Sequence, residues 1–355
     1  MTPRSPRASI RLASAAALAA SVGTVAAADF SLRAVADSDG DDENHDGLVV
    51  FEDFVESRSN GAIEVEVSVG TRPCANGTEC LQALEDGSVD VYVSTSGGAA
   101  NAYPYVRVLD LPYVLSDDKV AEEVLSGNFM RELRTQILAD SDGAVRLMTI
   151  GNTGGWRHFA NTERTVTKPG DLAGMRIRTV MADLPRELVE AMGASPVPIP
   201  WPELFTSFQT GVVEGVGIGI ADVMDMKFPE AGLKYMTLDG HAYAGALWFM
   251  NNEVFLSMPE ALRRVVVDGF GALQQATFAS PKRRSVRAHA DFAAAGGELH
   301  VPTPEERAAF AAAAEPVHDW FVENVEGGRR WLDLLRSEAD RAVEADEAAY
   351  EMDLN

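Results

Sequence analysis

Three neighbouring segments decide how this chain reads: GWRHFAN (155–161), KPGDLAGMRIRT (168–179) and GASPVPIPWPE (193–203). Within the second, Met175-Arg176-Ile177-Arg178-Thr179 alternates apolar and polar residues, the period of a short strand. Met175, Ile177 and Thr179 face one way, Arg176 and Arg178 the other. Arg178 ends the strand, and open α/β sheets bind ligands beyond the carboxyl ends of their strands. An arginine there can grip a carboxylate through two parallel hydrogen bonds. The same pattern suits a surface strand with both arginines in water, so the segment needs its context.

Working outward, 355 residues exceed one ordinary core and predict two domains. Arg4, Arg7 and Arg11 precede an Ala- and Val-rich run (12–27) that ends in Ala26-Ala27-Ala28. This is the pattern of an export signal cleaved after Ala28, and the run is too short and alanine-rich for a membrane anchor. No later stretch is long and apolar enough to span a bilayer, so a soluble, exported protein is expected. Loss of the leader takes the net charge from −24 to −27. Such acidity argues against nucleic acid and anionic membrane as partners. In CANGTEC (74–80), export favours a Cys74–Cys80 disulfide over metal binding or two free thiols.

The first half alternates strand and helix: strand 30–35, helix 48–59, strand 62–69, helix 79–85, strand 89–93, helices 118–126 and 128–138, and strand 145–150. Asp37 follows the first strand, and Ser94-Thr95-Ser96-Gly97-Gly98 follows the third as loop material suited to a ligand. The acidic run 36–47 fails the EF-hand template. A second part starts near Gly151, with a helix from Asp183 as N-cap to Met192 and Gly193 as its stop. Pro196, Pro198 and Pro200 keep the next residues extended, Pro202 opens a helix, and 242–250 is a further strand. Pro281 is expected to kink or restart the helix beginning at 259, and Lys282, Arg283, Arg284 and Arg287 read as a solvated face. The tail, 305–352, reads as helical.

No catalytic signature stands out. The six histidines include no pair at metal-ligand spacing on a helix. No nucleophile elbow or phosphate loop is present, and GVGIG (215–219) lacks the spacing and context of a dinucleotide loop. Neither cofactor nor metal is expected, and the enzyme reading has no positive signal.

The order of DGSVDVYV (86–93), LDLPYVL (109–115), WRHFAN (156–161), KPGDLAGMRIRT, MGASPVPIPWPELFTSFQTGVVEG (192–215), KYMTLDGHAY (234–243) and NNEVFLSMPEALRRVV (251–266) resembles the DctP family. These are the solute-binding proteins of tripartite ATP-independent periplasmic (TRAP) transporters. The likeness spans nearly the whole mature chain. It implies an α/β, two-lobed periplasmic binding protein fold with mixed sheets, crossing strands and a long interdomain helix. The lobes would be 29–152 plus 244–282 and 153–243 plus 283–310, with 311–355 a C-terminal helical tail. It implies a monomer that closes on a small organic acid and delivers it to an ion-gradient-driven membrane permease.

The resemblance matches Arg178 to the family's carboxylate-gripping arginine, Arg157 and Asn161 to its second cleft arginine and following asparagine, and Trp201 to its cleft aromatic. Asp37 and Thr95 match its strand-end pocket positions more loosely. Trp156, Tyr243 and Trp248 can cover a ligand's apolar body, though each also reads as a core aromatic. One departure concerns the ligand: many members carry Gln-Glu-Asn-Pro where this chain has Val216-Gly217-Ile218-Gly219. Sugar acids, dicarboxylates, oxo acids and zwitterions all remain open. So do two other functions, a periplasmic sensor for a signalling partner and a secreted hydrolase or lyase.

Overall fold

The computed structural model describes residues 28–36, 42–70, 74 and 76–354. The signal segment and Asp37 therefore lie outside the described residues. Nine strands are present among them: β1 (Phe30–Ala36), β2 (Ile63–Val69), β3 (Val91–Thr95), β4 (Val145–Asn161), β5 (Arg176–Thr179), β6 (Ser195–Pro198), β7 (Gly215–Ile218), β8 (Tyr235–Asn251) and β9 (Glu298–His300). They pair in the order β2-β1-β3-β8-β4-β7-β5-β6, with β9 on β8.

The architecture is α/β and two-lobed, and β4 and β8 explain why. Each is 17 residues long, and they pair with each other antiparallel. The late part of β8 takes β3 as its other neighbour, and β3 leads to the parallel pairs β1·β3 and β1·β2. The late part of β4 takes β7 instead, which leads to the parallel pairs β5·β7 and β5·β6. The β4–β8 pairing thus links the two sets of strands, with irregularities at Leu147/Thr149, Asn152/Trp156 and Arg157/Phe159.

Between the two sets the β4–β8 register slips, at Asn152/Trp156. Gly154 and Gly155 sit there at φ of 75° and 76°, values that side chains with a Cβ rarely adopt. The glycine run near which a second part is expected to start lies at a bulge within one continuous strand. The strand expected over 145–150 continues to Asn161, and that expected over 242–250 begins at Tyr235.

The helix Glu260–Ala294 continues through Pro281 without the expected restart. A mid-helix proline costs about 3 kcal/mol. Here Pro281 is buried, and the helix packs against β4 and the helices Glu43–Arg58 and Ile220–Asp225, which hold both of its halves. The basic cluster is not simply a solvated face. Arg284 reaches Asp46 at 3.4 Å, Asp225 at 3.6 Å and Glu43 at 3.7 Å, and Lys282 pairs with Glu122. Other differences are at element ends. The first helix begins at Glu43, and the hydroxyl-rich stretch after β3 is a helical turn, Ser96–Ala99, capped by Thr95. Ala182, not Asp183, caps the helix Asp183–Ala191.

The disulfide Cys74–Cys80 is formed. The tail consists of two helices, Pro304–Asn324 and Gly328–Leu354, and the second belongs to the main core. Trp331 stacks on Tyr105 at 5.2 Å between ring centres and meets Phe129 edge-on at 6.2 Å. With Trp331 only 2% exposed, Trp331→Ala is expected to lower the free energy of unfolding by about 3–5 kcal/mol. Urea unfolding checks this, and an unchanged midpoint would mean that the tail is an independent appendage.

Candidate functional site

The two arginines of β5 have separate fates. Arg176 is exposed and pairs with Glu214 across the surface. Arg178, two residues on, is 5% exposed and lines a cavity of about 90 Å³. Its Nε donates to the Ile199 carbonyl at 2.9 Å, which fixes the plane of the guanidinium. The Trp201 ring lies 5.8 Å from its Cζ, a cation–π contact that braces the same group. Among the described residues no carboxylate lies within salt-bridge distance of Arg178. Burial, and then the neighbouring Arg157 charge, pull its pKa down to about 10, so the group is still charged at neutral pH.

Arg157 lines the same cavity from β4, where its register partner on β8 is Ala242. Two guanidinium groups thus repel one another across a confined space, an arrangement that an anion relieves. Opposite them, Thr95 and Ser96 enter from the end of β3, and Asp110 from the 3-10 segment Pro104–Asp110. The Ser96 hydroxyl donates to Asp110 Oδ1 at 2.6 Å. Burial raises the Asp110 pKa, although the Ser96 bond and the charges of Arg157 and Arg107 oppose it. One wall is apolar: Val180, Pro185, Leu188 and Val189, the last three on the helix after β5. The floor is Phe159, Gly217 and His241.

The structure thus brings together Arg178, Arg157 and Thr95, with Trp201 behind the first. Asn161 is elsewhere. It is buried at the end of β4, and its Oδ1 accepts from the Glu163 and Arg164 amides at 2.8 Å each, so it shapes the turn leaving the strand. Trp156 and Tyr243 meet edge-on at 5.1 Å between ring centres and line a different cavity, of about 120 Å³, beside the strand crossing. The Trp156 indole N–H donates to Asp118 at 2.9 Å. Trp248 is fully buried beneath the long helix.

Ser96 stands in the loop read as suited to a ligand, whereas sequence reasoning did not single out Asp110 or His241, which also line this cavity. Asp110 stands in the quoted motif LDLPYVL, flanked by leucines that give it no polar context. His241 was weighed only as a metal ligand. Its one hint was position, two residues after an aspartate and just before a run of small and apolar strand residues.

Two lobes sharing a continuous pair of strands, with a cationic cavity among them, define the class of ligand-binding proteins that close around a small solute. The model of the DctP family, bacterial extracellular solute-binding protein family 7, matches residues 37–324, and the chain belongs to this family of binding proteins rather than enzymes. It is 30% identical over 296 residues to a solute-binding protein of Verminephrobacter eiseniae, covering 83% of this chain and 85% of that one. It is 26% identical to the 2,3-diketo-L-gulonate-binding periplasmic protein of Escherichia coli, covering 90% and 94%. A TRAP periplasmic solute-binding protein from Ochrobactrum anthropi superposes with a TM-score of 0.82 at 24% identity, covering 91% of this chain and 98% of that one.

The second cavity generates a pH prediction. His158 lines it, and its Nδ1 accepts from the Gly240 amide at 2.9 Å, which fixes the neutral tautomer with the proton on Nε2. Burial pulls its pKa down to about 4 from the ordinary 6.5. A base depressed in the folded state contributes no penalty above its unfolded pKa and destabilises as pH falls below it. The protein is therefore expected to lose stability, by up to about 3 kcal/mol from this residue, as pH drops from about 6.5 to about 4. His158→Gln, whose side-chain oxygen can still accept from Gly240, is expected to flatten that acid limb. Parallel pH profiles of urea midpoints for the two proteins would contradict the assignment.

Proposed function

We propose that this chain is the periplasmic solute-binding subunit of a TRAP transporter, and that it captures a small organic acid through Arg178 and Arg157. The observation that carries the reading is a buried, charged guanidinium with no carboxylate partner among the described residues, facing a cavity. Leaving such a group buried and unpaired costs several kcal/mol, and a carboxylate supplies the missing partner. The ligand acts as the counter-charge that makes lobe closure favourable. The enclosed volume and the apolar wall of Leu188 and Val189 favour a short acid with an apolar or branched body. The Escherichia coli relative is named for binding 2,3-diketo-L-gulonate, itself a carboxylate.

In this reading the lobes are residues 29–152 plus 244–282 and 153–243 plus 283–310. They move about the register slip at Asn152/Trp156, which lies at the proposed boundary. Arg157 grips the acid together with Arg178, Thr95 serves the opposite rim, and Trp201 holds Arg178 in place. The protein is exported by a signal ending at Ala28, works as a monomer, and hands its ligand to membrane permease subunits.

A thermal-shift screen against an organic-acid library identifies ligands, because a solute bound only by the folded form raises the melting temperature. With a hit in hand, Arg178→Ala is expected to weaken binding by about 2–5 kcal/mol, the range for truncating a buried charge pair. Arg178→Lys is expected to bind poorly as well, since the planar fork is lost. Calorimetry measures both, and wild-type affinity in either variant would remove Arg178 from the site.

A further inference from the structure

The turn Ser96–Ala99 forms one rim of the cavity, since Thr95, Ser96 and Gly97 line it. What supports this turn stands on its far side. Gly77, the first residue of the helix Gly77–Glu85, lies against Gly98: a Cβ at position 77 would stand 3.0 Å from the Gly98 carbonyl oxygen and 3.1 Å from its Cα. The approach is backbone to backbone, so no flexible side chain absorbs a change there. Gly98 is itself closely enclosed. A Cβ on it would stand 2.5 Å from the Ser94 hydroxyl oxygen, and its amide donates to Thr95 Oγ1 at 3.1 Å.

The opposite side of the turn is also in contact. A Cβ at Gly97 would meet the Ala182 Cβ at 3.5 Å and Val180 Cγ2 at 3.8 Å. Both residues follow β5, and Val180 lines the cavity. The turn is thus lodged between Gly77 and the segment that continues the strand of Arg178. The Gly77 side is fixed in its turn. Asn76 caps the helix by accepting from the Glu79 amide at 3.1 Å, and the Cys74–Cys80 disulfide closes the chain around it. Cys80 is fully buried, and both cysteines lie in the same apolar cluster as Ala99 and Ala100 at the end of the turn. A cross-link over so few residues removes alternative conformations of the loop, and a close-packed interior passes small shifts on to its neighbours.

We infer that Gly77, held by the Cys74–Cys80 disulfide, is a positioning residue of the binding site. It sets where the Ser96–Ala99 turn stands, and through the turn it places the Ser96 hydroxyl, which donates to Asp110 at 2.6 Å. The consequence for binding rests on the carboxylate site proposed above. Binding groups work only when held within about 0.5 Å of their productive places, so a side chain at position 77 weakens acid binding before it weakens the fold.

Two measurements on the full mature protein test this. The first is hydrogen exchange without ligand, comparing the wild type with Gly77→Val and with Cys74→Ala/Cys80→Ala. In both variants the amides of residues 97–100 are expected to exchange about tenfold or more faster relative to those of β4 and β8. Gly77→Ala, whose methyl asks the turn to give by only a few tenths of an ångström, is expected to show a rise of about threefold, and it decides the matter if the larger changes do not fold. The second is calorimetry with 3-methylbutanoate and 3-methyl-2-oxobutanoate, short branched acids of the kind the cavity favours. Gly77→Val is expected to bind them about tenfold or more weaker and Gly77→Ala about threefold weaker. The urea midpoint of Gly77→Ala is expected to be little changed, since alanine suits a helix better than glycine. A purely structural role would do the reverse, lowering the midpoint and leaving affinity alone.

Unchanged exchange at residues 97–100, a rise there no larger than in β4 and β8, or wild-type affinity in Gly77→Val would overturn the inference. Arg178→Ala is the separating control. If it binds the two acids as well as the wild type does, or if the wild type binds neither, the carboxylate site is misplaced and the binding role of Gly77 falls with it. The exchange rates use no ligand, and they alone still show whether Gly77 holds the turn.

Discussion

A guanidinium taken out of water needs an opposite charge, and among the described residues no carboxylate lies within salt-bridge distance of Arg178. Arg178 is buried at the end of β5, its Nε tied to the Ile199 carbonyl and its face against Trp201, with a second arginine across the cavity. Positive charge held in a low-dielectric space without a partner raises the free energy of the closed arrangement. A bound carboxylate removes that penalty. In the proposed function, the stability of the closed form and the affinity for an anion are two aspects of one interaction, and an acidic protein holds an acid because the field that matters is local.

The remainder of the architecture serves this interaction by allowing it to form and break. β4 and β8 run through both lobes as one hydrogen-bonded pair, so the lobes remain registered to each other. The slip at Asn152/Trp156, with two glycines in the left-handed region, gives that pair a place to bend. The long helix, about 52 Å at 1.5 Å per residue, lies along the crossing. From it Arg284 contacts both the Glu43–Arg58 helix and Asp225 at the end of the Ile220–Asp225 helix, so the lobes are also linked electrostatically.

Much of this was legible in the sequence. The alternation in Met175–Thr179 located β5, and Arg178 at its carboxyl end followed from the general behaviour of α/β sheets. What alternation could not tell was which arginine would be buried. That depended on Glu214, 38 residues away, neutralising Arg176. The long strands were read short because Gly151, Gly154 and Gly155 look like a boundary, and only pairing with β8 carries the chain through them. At Pro281 local propensity allows a restart, and packing against β4 and two helices carries the helix through it. The place of Asp110 in the cavity is not legible locally, because its neighbours there, Ser96 and Arg157, come from other elements. Trp156 and Tyr243, read as aromatics able to cover a ligand, line the neighbouring cavity, which alternation alone does not reveal.

The most direct test is a crystal structure of the protein with an acid bound. The account predicts the carboxylate between the lobes, with both oxygens about 2.7–2.9 Å from the terminal nitrogens of Arg178, the distance of a charge-assisted pair. An acid group held by other residues, with the Arg178 side chain turned into solvent, would contradict it.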